Sequence, residues 1–217
     1  MGGSHGRALV IEGLVALALA ATTPADAGAV LRSLEEAGRA LHTLQASFTE
    51  TKVLVLLDEK AESRGAVFLQ VPGRFRWNYE TPQESVVLVK DGRFARYFPK
   101  SKQVFRGEAK GEADLLVGFG PGAAGLGKKY EATLVGEESV GEVRTNVLDL
   151  KPRAGQAGLF SAIRIYVDKA RFIPVQTRLT EPTGDSTTVR FEKMRINEKL
   201  PAGVFELSLP KGVVEVR

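Results

Sequence analysis

"GRFRWNYE", Gly73 to Glu80, sets Phe75, Trp77 and Tyr79 at alternate positions, with Arg74, Arg76, Asn78 and Glu80 between them. Successive side chains of a β-strand point to opposite faces, so as a strand this stretch has one wholly aromatic side and one wholly polar side. The chain's only Trp is on the aromatic side. A face of that kind must lie against something apolar, and the neighbouring sequence indicates what.

The same period of two recurs from Ser47 onward in runs separated by turn residues. The runs are Phe48 to Leu57, Gly65 to Val71, Arg74 to Glu80, Ser85 to Lys90, Arg93 to Phe98 and Lys102 to Arg106. They continue with Tyr130 to Gly136, Val143 to Lys151, Ser161 to Asp168, Val175 to Glu181 and Ser186 to Ile196. Asp91-Gly92 between two of them is a strong hairpin signal. Apolar positions recur on one face, as in Ile163, Ile165 and Val167 against Arg164, Tyr166 and Asp168. Strands do not alternate with long helices, so a parallel α/β sheet is excluded in favour of about eleven antiparallel strands.

A sheet with one dry face curls over its cover, and the helical material available is limited. Val30 to Ala46 places Leu31, Leu34, Leu41 and Leu44 on one side at helical spacing, with Arg32, Glu35, Glu36 and Arg39 opposite, which predicts one amphipathic helix. The Gly-rich stretch from Asp114 to Lys128 is the second candidate, with Leu115, Leu116, Val117 and Phe119 as an apolar flap. The fold class is therefore mainly β with α.

At the start, Gly13 to Ala21 is a short apolar run followed by Ala25-Asp26-Ala27, a small-x-small cleavage pattern. Residues 1–27 read as a secretory signal and 28–217 as one domain. A membrane anchor would need about 20 apolar residues, and Glu12 interrupts too early. Loss of Arg7, Glu12 and Asp26 moves the net charge from +4 to +5. The basic residues alternate with apolar ones or neighbour Glu, which points to solvated strand faces and not to nucleic acid.

Catalytic groups are scarce. The chain lacks Cys, and His42 is the one His after the signal, placed by the helical spacing on the helix's polar flank. Zinc clusters and Ser-His or Cys-His pairs are thereby excluded. Asp58-Glu59 and Glu137-Glu138 read as solvated turn acids. Gly120-x-Gly122-x-x-Gly125 matches a dinucleotide fingerprint after the strand-like Leu115-Leu116-Val117, but too few residues follow for the helix that would hold a pyrophosphate. No cofactor, metal or enzymatic activity is expected.

An amphipathic helix leading into Ala46-Ser-Phe-Thr-Glu50, then Pro72-Gly-Arg-Phe75-Arg-Trp77, Val89-Lys-Asp91-Gly92, Asn197-x-x-Leu200, Phe205 and Leu209-Pro-Lys-Gly-Val213 resembles the LolA family of outer-membrane lipoprotein carriers. The likeness runs in order over nearly all of residues 28–217. It implies an unclosed antiparallel half-barrel whose concave apolar face lies under the first helix and a helical, Gly-rich lid. It further implies a monomeric periplasmic shuttle that takes acylated lipoproteins from an inner-membrane releasing transporter to an outer-membrane acceptor. Phe48, Phe75, Trp77, Tyr79, Val87, Val89, Ile163, Ile165, Val167, Val189 and Phe191 would then line the acyl-chain cavity, with Leu115, Leu116, Val117 and Phe119 on the lid. Family members carry a lid-latching Arg before the motif's Pro; this chain has Val71, which has no hydrogen-bond donor to offer. A regulatory module of the same fold that senses lipid or lipoprotein is the alternative reading.

Overall fold

The computed structural model describes residues 26–109, 116–155 and 159–216. The expected signal segment lies outside these residues except for Asp26 and Ala27. The first described element is helix α1, Ala27–Arg39, whose N-cap Asp26 accepts a hydrogen bond from the Ala29 N–H at 2.7 Å. It is shorter than the predicted Val30 to Ala46. Leu41 and His42 lie in the connection, and Leu44 is already on a strand.

Twelve strands follow among the described residues. The first six are β1 (Thr43–Leu54), β2 (Glu59–Gln70), β3 (Arg74–Thr81), β4 (Ser85–Lys90), β5 (Arg93–Phe98) and β6 (Gln103–Glu108). After the short helix α2 (Leu126–Lys129) come β7 (Tyr130–Val140), β8 (Val143–Pro152), β9 (Ala162–Asp168), β10 (Pro174–Thr180), β11 (Ser186–Ile196) and β12 (Val214–Val216). One open sheet takes them in the order β12-β6-β5-β4-β3-β2-β1-β11-β10-β9-β8-β7. Every pair is antiparallel but one: β12, which the sequence pattern misses, adds to β6 in parallel. Three residues are too few to show a period. Glu137 and Glu138 are in β7, not in a turn, and Glu59 opens β2.

Local chemistry sets the register. Asp91 and Gly92 take φ of 53° and 73°, the left-handed pair a two-residue hairpin turn demands. Lys90 and Arg93 face each other across it. At Gly65 a Cβ would fall 1.8 Å from the Asn78 carbonyl oxygen and 3.1 Å from the Phe48 ring, so the bare backbone lets β2 and β3 close beneath that ring.

The convex face has its own fixed cover. Phe205 packs on Phe68 and Leu88, with Leu200, Val204 and Leu207 around them. Arg76, from the polar side of the GRFRWNYE strand, donates through Nη1 to the carbonyls of Val204 and Glu206 at 3.0 and 2.9 Å. The alternation in that stretch therefore assigns its aromatic side to the concave face and its polar side to a clamp on the C-terminal segment.

A second clamp sits where α1 meets the sheet. Asn197, with φ of 58°, accepts from the backbone N–H groups of His42 and Thr43 at 2.7 and 3.3 Å and donates to the Ala40 carbonyl at 2.9 Å. One amide thus ties the end of α1 and the start of β1 to the end of β11. Asn197→Ala should lower stability by about 2 kcal/mol, because it strands two donors and an acceptor and places Ala in a left-handed conformation. Chemical denaturation checks the loss, and faster amide exchange at His42 and Thr43 locates it.

Candidate functional site

The concave face divides into two apolar lobes. In the first, Phe48 of β1, Phe75 and Trp77 of β3, Val89 of β4 and Val189 and Phe191 of β11 are buried together, with Tyr79 and Val87 packed beside them. The rings interlock. Phe48 stands edge-on to Trp77 at 4.5 Å and to Tyr79 at 5.2 Å, and Trp77 approaches Phe191 at 6.1 Å. In the second lobe, Ile163, Ile165 and Val167 of β9 are buried with Leu148, Leu150 and Leu179. The predicted cavity residues all lie on this face, shared between the two lobes.

Residues the sequence reading left out complete the lining. Leu44 and Ala46 join the predicted Phe48 on the inward side of β1, and Val67 and Leu69 form that of β2. The alternation at 44, 46 and 48 was legible, but Leu41 and Leu44 also continue the helical spacing of Leu31 and Leu34. Leu148 and Leu150 carry the same period-two signal as their neighbours on β9.

α1 and the lid fill both lobes. Leu116 and Phe119 enter the first, where Phe119 stands edge-on to Phe191 at 5.0 Å. Val117 and Leu126 enter the second together with Val30, Leu31 and Leu34 of α1. Leu115 lies outside the described residues. Leu116 and Val117 are in a turn, not a strand, and α2 has only four residues.

The glycines of this stretch serve close approach. A Cβ on Gly122 would sit 2.7 Å from the Leu116 carbonyl oxygen, and one on Gly38 of α1 would sit 2.4 Å from the Ala123 Cβ. Helix and lid are consequently packed backbone to backbone. The Gly127 N–H also donates to Glu35 of α1 at 3.2 Å. Val71 does touch the lid: its Cγ2 is 2.9 Å from where a Gly120 Cβ would be. Its contribution there is apolar contact.

Polar groups gather at one rim of the aromatic lobe. A cleft of about 350 Å³ is lined by Glu50, Lys52, Ser63, Tyr79, Ser85, Arg96 and their neighbours. The Tyr79 hydroxyl donates to Glu50 at 3.1 Å, and the Arg96 guanidinium lies 5.9 Å from the centre of the Tyr79 ring. Burial raises the Glu50 carboxyl above its ordinary range, with Tyr79, Lys52 and Arg96 opposing the shift. Deeper in, the Trp77 indole N–H is buried without a hydrogen-bond acceptor among the described residues. Nothing in the sequence pattern pointed to this rim, because Glu50 and Tyr79 are 29 positions apart.

Comparison with known proteins agrees with this geometry. The family model described as "Outer membrane lipoprotein carrier protein LolA" matches residues 39–208. An outer-membrane lipoprotein carrier protein of Legionella pneumophila (strain Lens) is 29% identical over 182 residues, 82% of this chain and 85% of that protein. One from Bordetella avium (strain 197N) is 27% identical over 215 residues, 96% of this chain and 98% of the relative. Among solved structures, an uncharacterized conserved protein from Thermus thermophilus superposes with a TM-score of 0.57 at 15% identity, covering 88% of this chain and 98% of that one. MucB in the Pseudomonas aeruginosa MucA/MucB complex gives 0.54 at 20% identity, covering 85% of this chain and 62% of the longer one. These two likenesses concern the fold. With its open β-sheet, its two-lobed apolar face and a family match over most of its length, the chain belongs to the LolA family of outer-membrane lipoprotein carrier proteins.

Proposed function

We propose that the protein is a periplasmic carrier that holds the acyl chains of lipoproteins against the concave face and moves them from an inner-membrane releasing transporter to an outer-membrane acceptor. The observation that carries this reading is the nature of the cover. The concave face is lined by aliphatic and aromatic side chains, and the helix and lid that lie on it are held mainly by apolar contacts. Acyl chains can replace such contacts like for like. Each methylene left in water costs about 0.8 kcal/mol, so a multiply acylated protein cannot cross an aqueous space unshielded. An apolar lining shields it without forming bonds that must later be broken.

The two ends of the aromatic lobe divide the work. Phe119 and Leu116 occupy the space an acyl chain takes when the lid moves. The rim at Glu50, Tyr79 and Arg96 receives the polar ester and peptide end of the cargo, and the unpaired Trp77 N–H offers a donor to an ester carbonyl. A regulatory role on the same fold is the second reading; MucB, seen in complex with MucA, shares the architecture.

Secretion is part of the proposal, with cleavage after Ala27. That cut removes Asp26, the cap of α1, and leaves a positively charged amine at the positive end of the helix dipole. N-terminal sequencing of exported protein should begin at Gly28, and an intact Met1 would overturn the processing step.

Titration with a triacylated lipopeptide should change Trp77 emission, because the indole lies in the lobe the acyl chains enter. Ile165→Asp, which buries an unpaired carboxylate in the second lobe, should cost at least about 3 kcal/mol of stability and weaken lipopeptide binding. Binding by calorimetry with unchanged Trp77 emission would move the cargo out of the aromatic lobe.

Position 71 sets the cover's strength. Val71→Arg would give the lid a charged donor for its carbonyls, favour the closed empty state and speed lipopeptide release by roughly tenfold. Stopped-flow release rates measured beside thermal unfolding check this. Unchanged release with intact stability means that the lid needs no latch.

A further inference from the structure

At the tip of the β1–β2 hairpin the chain presents Val55, Leu56 and Leu57 in succession, 54%, 86% and 64% exposed, in one turn of 3-10 helix. Large apolar side chains are not left in water three in a row without a purpose or a penalty. The tip is built, not frayed. β1 and β2 stay paired up to Leu54 and Glu59. The Val55 N–H donates to the Asp185 carboxylate at 2.8 Å, which fixes the turn to the β10–β11 connection. Asp58 closes it in a left-handed conformation with its N–H on the Val55 carbonyl.

Position says more than exposure. β2 pairs with β3 only from Arg64 onward, so residues 59–63 overhang the end of β3. Ser63 of this overhang and Lys52 of the β1 stretch paired with it line the same rim cleft as Glu50, Tyr79 and Arg96. The exposed apolar turn therefore lies at the same end of β1 and β2 as the rim cleft, whose Tyr79 stacks on Trp77 at 6.2 Å. From residue 52 to 64 the charges balance, with Lys52, Lys60 and Arg64 against Asp58, Glu59 and Glu62, and nearby Arg96 stands against Glu50 and Asp185, so the surface has no basic excess. A strongly anionic surface gains little from such a set, and a zwitterionic one is compatible with it.

We infer that the Val55-Leu56-Leu57 turn is a lipid-surface contact, which inserts into the interface of a zwitterionic phospholipid bilayer and holds the rim cleft against it. Acyl chains then pass between membrane and lobe without crossing water. The passage of cargo rests on the carrier reading above, whereas insertion of the turn does not.

The test uses the purified protein and vesicles of phosphatidylcholine and phosphatidylethanolamine. Wild type should sediment with the vesicles, and Leu56→Asp should reduce that partition by at least about tenfold with unchanged thermal unfolding, since the side chain is exposed in the fold. Leu56→Trp should shift its emission to the blue on vesicles. Lipopeptide bound in solution should be retained by Leu56→Asp but delivered more slowly to vesicles. Equal partition of wild type and Leu56→Asp, or no partition of either, overturns the inference. So does a dimer in light scattering that Leu56→Asp dissociates, because the turn would then be an interface between copies. Failure to bind lipopeptide at all refutes the carrier reading and leaves the partition result standing.

Discussion

A sheet of twelve strands that does not close has one apolar face to keep dry, and the rest of the molecule answers to that requirement. The order of the strands puts β1 and β11 near the middle and leaves β7 and β12 as edges. Curvature makes the apolar side concave, and a concave face takes a cover that fits inside it. α1 and the lid provide that cover as one piece, because Gly38 lies close against Ala123 and the Gly120 carbonyl, and Gly127 donates to Glu35. Neither could sit as deep if Gly38 carried a side chain.

The two faces are covered on different terms. On the convex side, Arg76 reaches two carbonyls of the C-terminal segment beside the Phe205 contact with Phe68 and Leu88, and at the root of α1 Asn197 joins three backbone groups. Such directional bonds fix geometry and are costly to leave unmade. On the concave side the contacts between cover and sheet are mainly ring to ring and methyl to methyl, with Arg153 donating to the Gly127 and Lys129 carbonyls at the edge. Apolar contacts have no fixed partner, so one oily group can take the place of another with little penalty. Permanence and exchangeability are thus written in the type of contact on each side of the same strand, residue by residue along GRFRWNYE.

That division also explains which features were legible in the sequence. The stripe of Phe75, Trp77 and Tyr79 could be read at once because a period of two with rings on one side has few other uses. Ile163, Ile165 and Val167 were equally plain. The end of α1 was not, because Leu41 and Leu44 satisfy both the helical spacing of Leu31 and Leu34 and the alternation of Ala46 and Phe48. The chain resolves this through Asn197, more than 150 residues away, and a local pattern carries no trace of such a bond. The rim pair of Glu50 and Tyr79 was hidden for the same reason. Val55 to Leu57 were absorbed into a strand, since an exposed apolar turn and a buried one have identical composition.

A cover that fits so closely also constrains the loaded molecule. Whatever enters the lobes must evict Phe119, Leu116 and the Leu31 and Leu34 face of α1, and those side chains then have nowhere dry to go within the fold. On the carrier reading, occupancy inside would be converted into greasiness outside, in addition to the turn at Val55–Leu57 that is exposed already. An acceptor would then need no view of the interior to tell a full molecule from an empty one. It would have only to recognise the displaced cover and, by binding it, make its return unnecessary until the load had gone.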